Sequence, residues 1–306
     1  MIVLGGAGRN LAPPPDPARR ACWELQGQWG KYIGTPIAAR WFVTAAHVGG
    51  QVGDALVLAN QHYLAVAREA LPGTDIALWR VDRAFPRWAT VCDGDELERE
   101  LFLVGRGTAR GAELAGKGWQ WGAIDHRQNW GRNQVSGFLT SKPYGALLLA
   151  TFDHDAGPDE STLSTGDSGG GVFLKGRDGL WRLAGINHDI NPGDDGIDRF
   201  YSTSGRKDDL FRAALYDSRG LFLGTPEALK PVTGDTPRPA VLAAQRLSVY
   251  RNQLAKILAR PDNAYPSHPP LLQTRLGRYG GGALVGAAGA AVLARRFFAK
   301  KLSPRD

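Results

Sequence analysis

Three short segments combine residue types that could carry out nucleophilic chemistry. They are Thr44-Ala45-Ala46-His47, Thr74-Asp75-Ile76-Ala77-Leu78 and Gly166-Asp167-Ser168-Gly169-Gly170. Acyl transfer needs a hydroxyl activated by a neutral imidazole, a carboxylate that fixes the imidazole tautomer, and backbone N–H groups that face the developing oxyanion. The three segments supply these residue types, and glycines crowd the serine. We therefore predict Ser168 as nucleophile, His47 as general base and Asp75 as the orienting carboxylate.

The order of these residues along the chain separates families that use the same chemistry. α/β-Hydrolases place serine first and histidine last, and subtilisins run aspartate, histidine, serine. The order here is His47, Asp75, Ser168. With their surrounding residues, the three segments resemble the trypsin/chymotrypsin-like serine peptidase family over about residues 34–211.

Two further segments extend this resemblance beyond the three motifs. Thr90-Val91-Cys92 followed by Val104-Gly105-Arg106-Gly107 resembles the segment between the two lobes and its glycine turn. Leu183-Ala184-Gly185-Ile186 resembles the strand that lines the substrate cleft. The resemblance implies an all-β fold of two antiparallel six-stranded β-barrels. The helical spacing of apolar residues further predicts a closing helix and a helical C-terminal extension.

The same resemblance implies a serine endopeptidase that hydrolyses polypeptides through an acyl-enzyme intermediate. The backbone N–H groups of Gly166 and Ser168 would form the oxyanion hole. We expect no cofactor and no metal, and we expect a monomer. The alternative is a catalytically inactive, protease-like module that presents a binding surface.

The substrate pocket departs from the family pattern. Thr162 aligns with the base of the pocket, where trypsin has an aspartate, so a preference for basic side chains is not expected. Asn187-His188-Asp189 stands where the family has a small residue whose hydroxyl supports the catalytic carboxylate. His188 close to Thr162 would favour an acidic substrate side chain. A supporting or rim position for His188 is the interpretation that we favour.

The start of the chain is similar to the new N-terminus of activated relatives. In those proteins this terminus pairs with the aspartate beside the nucleophile, here Asp167. Ile2-Val3-Leu4-Gly5-Gly6 is the similar segment, but Met1 precedes it, so we expect no activation of this kind. No signal peptide is visible, which indicates either a cytoplasmic enzyme or a start that lies further upstream.

Composition agrees with a β-rich globular protein. The chain has 306 residues, 43% of them apolar and 22% charged, and its 40 glycines indicate many turns and short strands. A polar break near 93–100 separates two sets of short apolar runs. The predicted division is a proline-rich lead-in (1–20), a first barrel (21–96), a second barrel with a closing helix at Asp208 to Tyr216 (97–225), a helix at Val241 to Ala259 with a proline-rich linker (226–270), and a tail (271–306).

The positive charge of the chain belongs to its C-terminal part. Residues 226–306 hold 13 Lys and Arg against 4 Asp and Glu, a net charge of +9, which leaves −2 for residues 1–225. This distribution argues against nucleic acid as a partner. Residues 279–299 join an apolar run to a basic cluster, which we interpret as a membrane anchor or sorting segment of an extracytoplasmic protein. A weakly apolar extension of a soluble enzyme is the alternative.

The two cysteines allow two arrangements. Cys22 and Cys92 are too few for a disulfide framework. They either form a single bridge or remain two buried thiols, and we favour the thiols.

Overall fold

The fold is known from a computed structural model, which describes residues 1–260. This part of the chain is mostly β, as predicted, and its α-helices are short. Its first half contains β1 (Ile2–Val3), α1 (Pro17–Glu24), β2 (Gly27–Trp29), β3 (Tyr32–Ala38), β4 (Trp41–Ala45), a 3₁₀ turn (Ala46–Val48), β5 (Ala55–Leu58), β6 (Gln61–Ala70) and β7 (Ile76–Val81).

The second half contains a longer series of strands. They are β8 (Glu100–Gly105), β9 (Thr108–Leu114), β10 (Gly118–Ile124), β11 (Asn129–Gln134), β12 (Gly137–Ser141), β13 (Gly145–Thr151), β14 (Ser161–Thr162), β15 (Gly171–Lys175), β16 (Trp181–Ile190), β17 (Phe200–Ser202), β18 (Ala213–Leu215), β19 (Phe222–Thr225), β20 (Ala228–Pro231) and β21 (Val241–Arg246). A 3₁₀ turn (Ser248–Tyr250) and α2 (Arg251–Leu258) follow.

The first half closes into a six-stranded antiparallel barrel. Its strand order is β2-β3-β4-β7-β6-β5, and β5 pairs back with β2. Aromatic side chains fill part of the interior: the Trp29 ring lies 5.1 Å from the Phe42 ring and 5.0 Å from the Trp79 ring, measured between centroids. Burying such large rings contributes strongly to core stability. The short apolar runs of the sequence lie in five of the six strands: 32–33 in β3, 41–43 in β4, 55–58 in β5, 63–66 in β6 and 76–79 in β7. The strand β2 contains no such run.

The second half differs from the second six-stranded barrel that the resemblance implied. Its main element is an antiparallel sheet of seven strands, in the order β11-β8-β15-β16-β21-β13-β12. Three smaller sheets, β1-β14, β18-β10-β9 and β17-β19-β20, contain the other described strands of this half, and β14 pairs there with β1 from the start of the chain.

The closing helix predicted at Asp208 to Tyr216 is wrong. This segment contains β18, and Ala214 pairs with Trp119 of β10. Ala213, Ala214 and Leu215 are all buried, so the apolar run lies in contact with protein on both faces. A short run of this kind has no periodicity that separates a buried strand from a helix, and tertiary pairing decides the outcome.

The helix predicted at Val241 to Ala259 is correct only in its last part. Residues Val241–Arg246 form β21, which pairs with β16 on one side and β13 on the other, and only Arg251–Leu258 are α-helical. The second half therefore continues past the predicted end of the second barrel at residue 225, because a central strand of the main sheet follows it. The proline-rich linker predicted to run through Pro270 lies almost wholly outside the described residues.

The lead-in predicted at 1–20 is well ordered. Met1 and Ile2 are completely buried, and β1 pairs with β14. The helix α1 begins at Pro17, and the Asp16 carboxylate accepts a hydrogen bond of 2.8 Å from the Arg19 N–H. Proline is compatible with the first turn of a helix because its missing N–H would have no partner there. The proline-rich composition therefore did not prevent a helix.

Two remaining predictions concern the cysteines and the membrane. Cys22 and Cys92 are both buried free thiols. Among residues 1–260, none of the helices combines the length and the apolar character that crossing a bilayer requires. The segment 279–299, which we interpreted as an anchor, lies outside the described residues.

Candidate active site

Strand pairing brings His47 and Asp75 together. The strand β4 leads into the 3₁₀ turn that carries His47, and Asp75 directly precedes β7. The end of β4 pairs with the start of β7, with Ala45 opposite Ile76. In addition, the Ala46 N–H donates to the Asp75 carbonyl oxygen at 2.9 Å. Residues 28 positions apart thus become neighbours through an antiparallel register.

The Asp75 carboxylate holds His47 at two points. The His47 backbone N–H donates to Asp75 Oδ1 at 2.8 Å, and His47 Nδ1 lies 2.6 Å from Asp75 Oδ2. Because an ionised carboxylate only accepts hydrogen bonds, Nδ1 carries the proton and Nε2 keeps a lone pair when the ring is neutral. The imidazole therefore has its basic nitrogen on the side away from Asp75.

A second histidine binds the same carboxylate oxygen. His188 Nδ1 lies 2.7 Å from Asp75 Oδ2, and the His188 side chain is only 6% exposed. The backbone N–H of Asp75 donates to Gln245 Oε1 at 3.3 Å. Burial raises the pKa of Asp75, but hydrogen bonds from His188 and His47 outweigh it, so the net pKa lies well below the usual range. Asp75 is thus ionised in the folded protein.

A β-bulge places His188 in this position. In the pairing of β16 with β21, Asn187 lies opposite Ala244 and Asp189 lies opposite Ala243, so His188 is the extra residue. Bulges redirect a side chain relative to the regular alternation of a strand. The supporting position that we favoured for His188 agrees with this geometry. The bulge itself, and with it the contact to Asp75, was not visible in the sequence.

The Ser168 loop depends on its glycines. Gly166 and Gly169 have φ values of +95° and +78°, which other residues rarely adopt. A Cβ on Gly169 would lie 2.3 Å from Thr44 Oγ1, so the loop approaches the first barrel closely. Within residues 1–260, the N–H groups of Gly166 and Ser168 donate to no other protein group.

The aspartate beside Ser168 pairs with the α-amino group of the chain. Met1 N lies 2.5 Å from Asp167 Oδ2, and both groups are buried. The same amine donates to Ser164 Oγ at 2.9 Å, and the Gly107 N–H donates to Asp167 Oδ1 at 2.8 Å. We expected any such pairing to use Ile2 after removal of Met1, but the structure places Met1 itself there.

One cleft of about 430 Å³ contains several of the predicted residues. His47, Gly166, Ser168 and His188 all line it. Thr162 does not: it is completely buried in β14, paired with Ile2 of β1.

Asn187 is also completely buried and does not line the cleft. Its side-chain amide donates to the carbonyl oxygens of Val104 and Asp167, at 2.8 and 3.0 Å. Asn187 thus links β8 to the Ser168 loop. Of the three residues predicted for the specificity pocket, only His188 reaches the cleft.

The cleft is also lined by two carboxylates and one guanidinium, those of Asp189, Asp198 and Arg212, and the sequence predicted no role in the cleft for any of them. Arg212 pairs with Asp198, and its Nη1 lies 4.0 Å from Asp189 Oδ1. The guanidinium lies over the Trp121 and Phe200 rings, 5.4 and 4.4 Å from their centroids. These residues come from separate loops and strands, so no local sequence pattern joins them.

The carboxylates of Asp189 and Asp198 change the pKa values of groups that line the cleft. Burial and the charge of Asp198 raise the pKa of Asp189 to about 6. Burial lowers the pKa of His47, but its hydrogen bond to Asp75 and the negative charges of Asp75, Asp189 and Asp198 outweigh it, so the net pKa is raised above the ordinary value of a histidine. The imidazolium form of His47 is therefore stabilised by its surroundings.

Solved structures that are similar to this chain include the following two. One is the passenger domain of a plasmid-encoded toxin, an autotransporter enterotoxin from enteroaggregative Escherichia coli, with 15% identity and a TM-score of 0.46 over 73% of this chain. The chain spans about a fifth (21%) of the length of that domain. The other is mouse neuropsin, a serine protease expressed in the limbic system of the brain, with 15% identity, a TM-score of 0.48, and coverage of 82% of this chain and 98% of neuropsin. No protein-family model and no curated protein sequence matches the chain.

Proposed function

We propose that this protein is a serine endopeptidase that hydrolyses peptide bonds in polypeptide substrates. The observation that carries the proposal is the hydrogen-bonded pair of His47 and Asp75 on the wall of a cleft that Ser168 also lines. Asp75 fixes the His47 proton on Nδ1, which leaves Nε2 free to act as a base. These are the groups and the tautomer that nucleophilic acyl transfer by a serine needs.

In the proposed mechanism, Ser168 Oγ attacks the carbonyl carbon of the scissile peptide bond. His47 Nε2 accepts the hydroxyl proton and then donates it to the departing amine, which leaves an acyl-enzyme. Water, activated by the same nitrogen, releases the product acid. The negatively charged Asp75 stabilises the imidazolium that exists between these proton transfers.

The proposed oxyanion hole consists of the backbone N–H groups of Gly166 and Ser168. Their lack of protein partners within residues 1–260 supports this role, because an oxyanion hole needs donors that are available to the substrate. A Cβ on Gly166 would lie 2.5 Å from Ile124 Cδ1, so a side chain would crowd this loop. The buried ion pair between Asp167 and the Met1 amine also holds the residue next to Ser168 in place.

A fluorophosphonate probe tests the proposal directly, because it reacts covalently only with an activated serine. The full-length protein should be labelled on Ser168, as located by peptide mass spectrometry. Ser168→Ala and His47→Ala should abolish labelling, whereas Ser136→Ala and His62→Ala, at exposed positions, should not. Well-folded protein that remains unlabelled would instead support the non-catalytic binding module.

A further inference from the structure

Two imidazoles, those of His47 and His188, contact the Asp75 carboxylate, and the proposed hydrolytic function requires only the first of them. The ligand atoms of His47, Asp75 and His188 all lie within 4.8 Å of one another. Both histidines use Nδ1, and both approach the same carboxylate oxygen, at 2.6 and 2.7 Å. Two imidazole nitrogens with one carboxylate oxygen form a donor set that suits a divalent d-block cation such as Zn²⁺.

Binding a cation here requires a change of tautomer but no oxidation or reduction. In the metal-free protein, each Nδ1 carries a proton that points to Asp75. A cation between the three side chains would take the lone pair of each Nδ1, and each neutral ring would move its proton to Nε2. The carboxylate would change from accepting two hydrogen bonds to donating an electron pair to the metal. A neutral ring loses no proton overall, and a cationic ring releases one.

The distances define how far the side chains must move. Zn²⁺ forms bonds of about 2.0 to 2.1 Å to nitrogen and oxygen, so neighbouring ligands of a tetrahedral site lie about 3.3 Å apart. The present nitrogen-to-oxygen distances are shorter by about 0.6 to 0.7 Å. The His47 side chain is 44% exposed and lines the cleft, so its ring can move toward solvent and lengthen its distance to Asp75. Asp75 and His188 are buried, and their ligand atoms must separate by about 0.6 Å to admit the cation.

We propose that His47, Asp75 and His188 form an inhibitory site for a divalent d-block cation, with solvent as the fourth ligand. Inhibition rests on the proposed function, because it acts through the base. A His47 ring bound to metal through Nδ1 carries its proton on Nε2, so this nitrogen donates and cannot accept the proton of Ser168. One cation would therefore switch off the general base without contacting the nucleophile.

The binding test uses the full-length protein and Zn²⁺ in competition with a chromophoric chelator, so its readout does not depend on activity. The wild-type protein should bind one Zn²⁺ at this site. His188→Ser and His188→Asn should each lose that equivalent, whereas His62→Ser, which removes an exposed histidine, should keep it. A cooperative thermal melt establishes that each variant is folded. Unchanged stoichiometry in both folded His188 variants would overturn the proposal.

The inhibition test compares Zn²⁺ with Mg²⁺, which prefers oxygen ligands and retains its waters. At ten times the dissociation constant, Zn²⁺ should slow fluorophosphonate labelling of the wild-type protein about elevenfold, as expected for saturation of one site. Mg²⁺ should have no effect, and any residual labelling of His188→Ser should be insensitive to Zn²⁺. Zn²⁺ that binds at this site without slowing labelling would overturn the inhibitory role.

The two proposals fail in different ways. Metal-free protein that is never labelled would overturn the proposed function, while the chelator measurement would still decide whether the metal site exists.

Discussion

At the scale of single residues, the cleft is organised around one buried carboxylate. Asp75 is 3% exposed and receives hydrogen bonds from the His47 ring, the His47 backbone and the His188 ring. An ionised group is held at such a depth only because its acceptor positions are filled. Its neighbours therefore determine both its charge and the tautomer of the proposed base.

Replacing Asp75 by Asn tests this arrangement. The amide can donate a hydrogen bond, so His47 would place its proton on Nε2 and lose its basic nitrogen toward the cleft. We expect kcat for peptide hydrolysis to fall by roughly 10⁴-fold, as is found for this change in serine proteases with the same three groups. Asp155→Asn, at a side chain that is 99% exposed, is the matched control. A decrease of less than tenfold in Asp75→Asn would contradict the proposed role.

The acid side of the pH profile is a second residue-scale prediction. His47 must be neutral to act as a base, and the negative charge of Asp189 contributes to its raised pKa. Replacing Asp189 by Asn removes this charge and lowers the pKa of His47, so activity should persist to lower pH. Asp189 itself ionises at a pH of about 6, so it carries its charge where His47 titrates.

Profiles of kcat/KM against pH measure this shift. Asp195→Asn removes an exposed carboxylate that pairs with Arg199, and it should leave the acid limb in place. An acid limb that stays unchanged, or that moves to higher pH, in Asp189→Asn would show that the charge of Asp189 does not act on His47.

At the scale of elements, the Ser168 loop lies against the main sheet with no space between them. A Cβ on Gly170 would lie 2.0 Å from the Val104 carbonyl oxygen and 2.7 Å from Asn187 Nδ2. Neither neighbour can move freely, because Val104 belongs to β8 and the Asn187 amide is hydrogen-bonded to it. The glycine is therefore required by the distance between two elements, and not by its own backbone angles.

Gly170→Ala and Gly137→Ala form a matched pair that tests this close approach. We expect Gly170→Ala to lower the free energy of unfolding by about 1 to 3 kcal/mol, the usual range for overpacking. A Cβ on Gly137, in β12, would meet nothing within 4 Å, so Gly137→Ala should stay within about 0.5 kcal/mol. Urea unfolding measures both changes, and equal stabilities would mean that the loop can withdraw from β8.

At the scale of the whole molecule, the main sheet joins distant parts of the chain. The strand β21 lies between β16 and β13, and Leu242, Ala243 and Ala244 are completely buried. Beyond it, Leu254 and Ile257 of α2 pack into the core cluster that also contains Ile33 and Val43 of the first barrel. The folded unit therefore needs β21 and α2, which lie beyond residue 225, the predicted end of the second barrel.

Two truncations test this conclusion. A chain that ends after Arg260 keeps β21 and α2, and it should unfold cooperatively. A chain that ends after Thr225 loses the strand between β16 and β13, which leaves two unpaired edges and an exposed core. We expect the shorter chain to be insoluble or to lack a cooperative thermal transition in near-UV circular dichroism. A folded and soluble 1–225 fragment would show that the sheet closes without β21.

The sequence predicted much of the β structure because the signals of short strands are local. Apolar runs separated by Gly, Pro, Asn or Asp identified five of the six strands of the first barrel, β3 to β7, and missed β2. The same local signals failed at Asp208 to Tyr216 and at Val241 to Arg246. In both segments, apolar residues at helical spacing are also compatible with a strand that is buried on two faces, and only the neighbouring strands select between these structures.

The residue types at the candidate site, His47, Asp75 and Ser168, and their order were determined by the sequence alone, because chemistry depends on side-chain identity. Only the tertiary structure placed a second imidazole on Asp75 and the Met1 amine on Asp167. It also showed that Thr162 and Asn187 are buried and do not line the cleft. The physical reason is that these contacts arise from a β-bulge, from strand register and from burial across more than 100 residues of chain, and none of these leaves a pattern along the sequence.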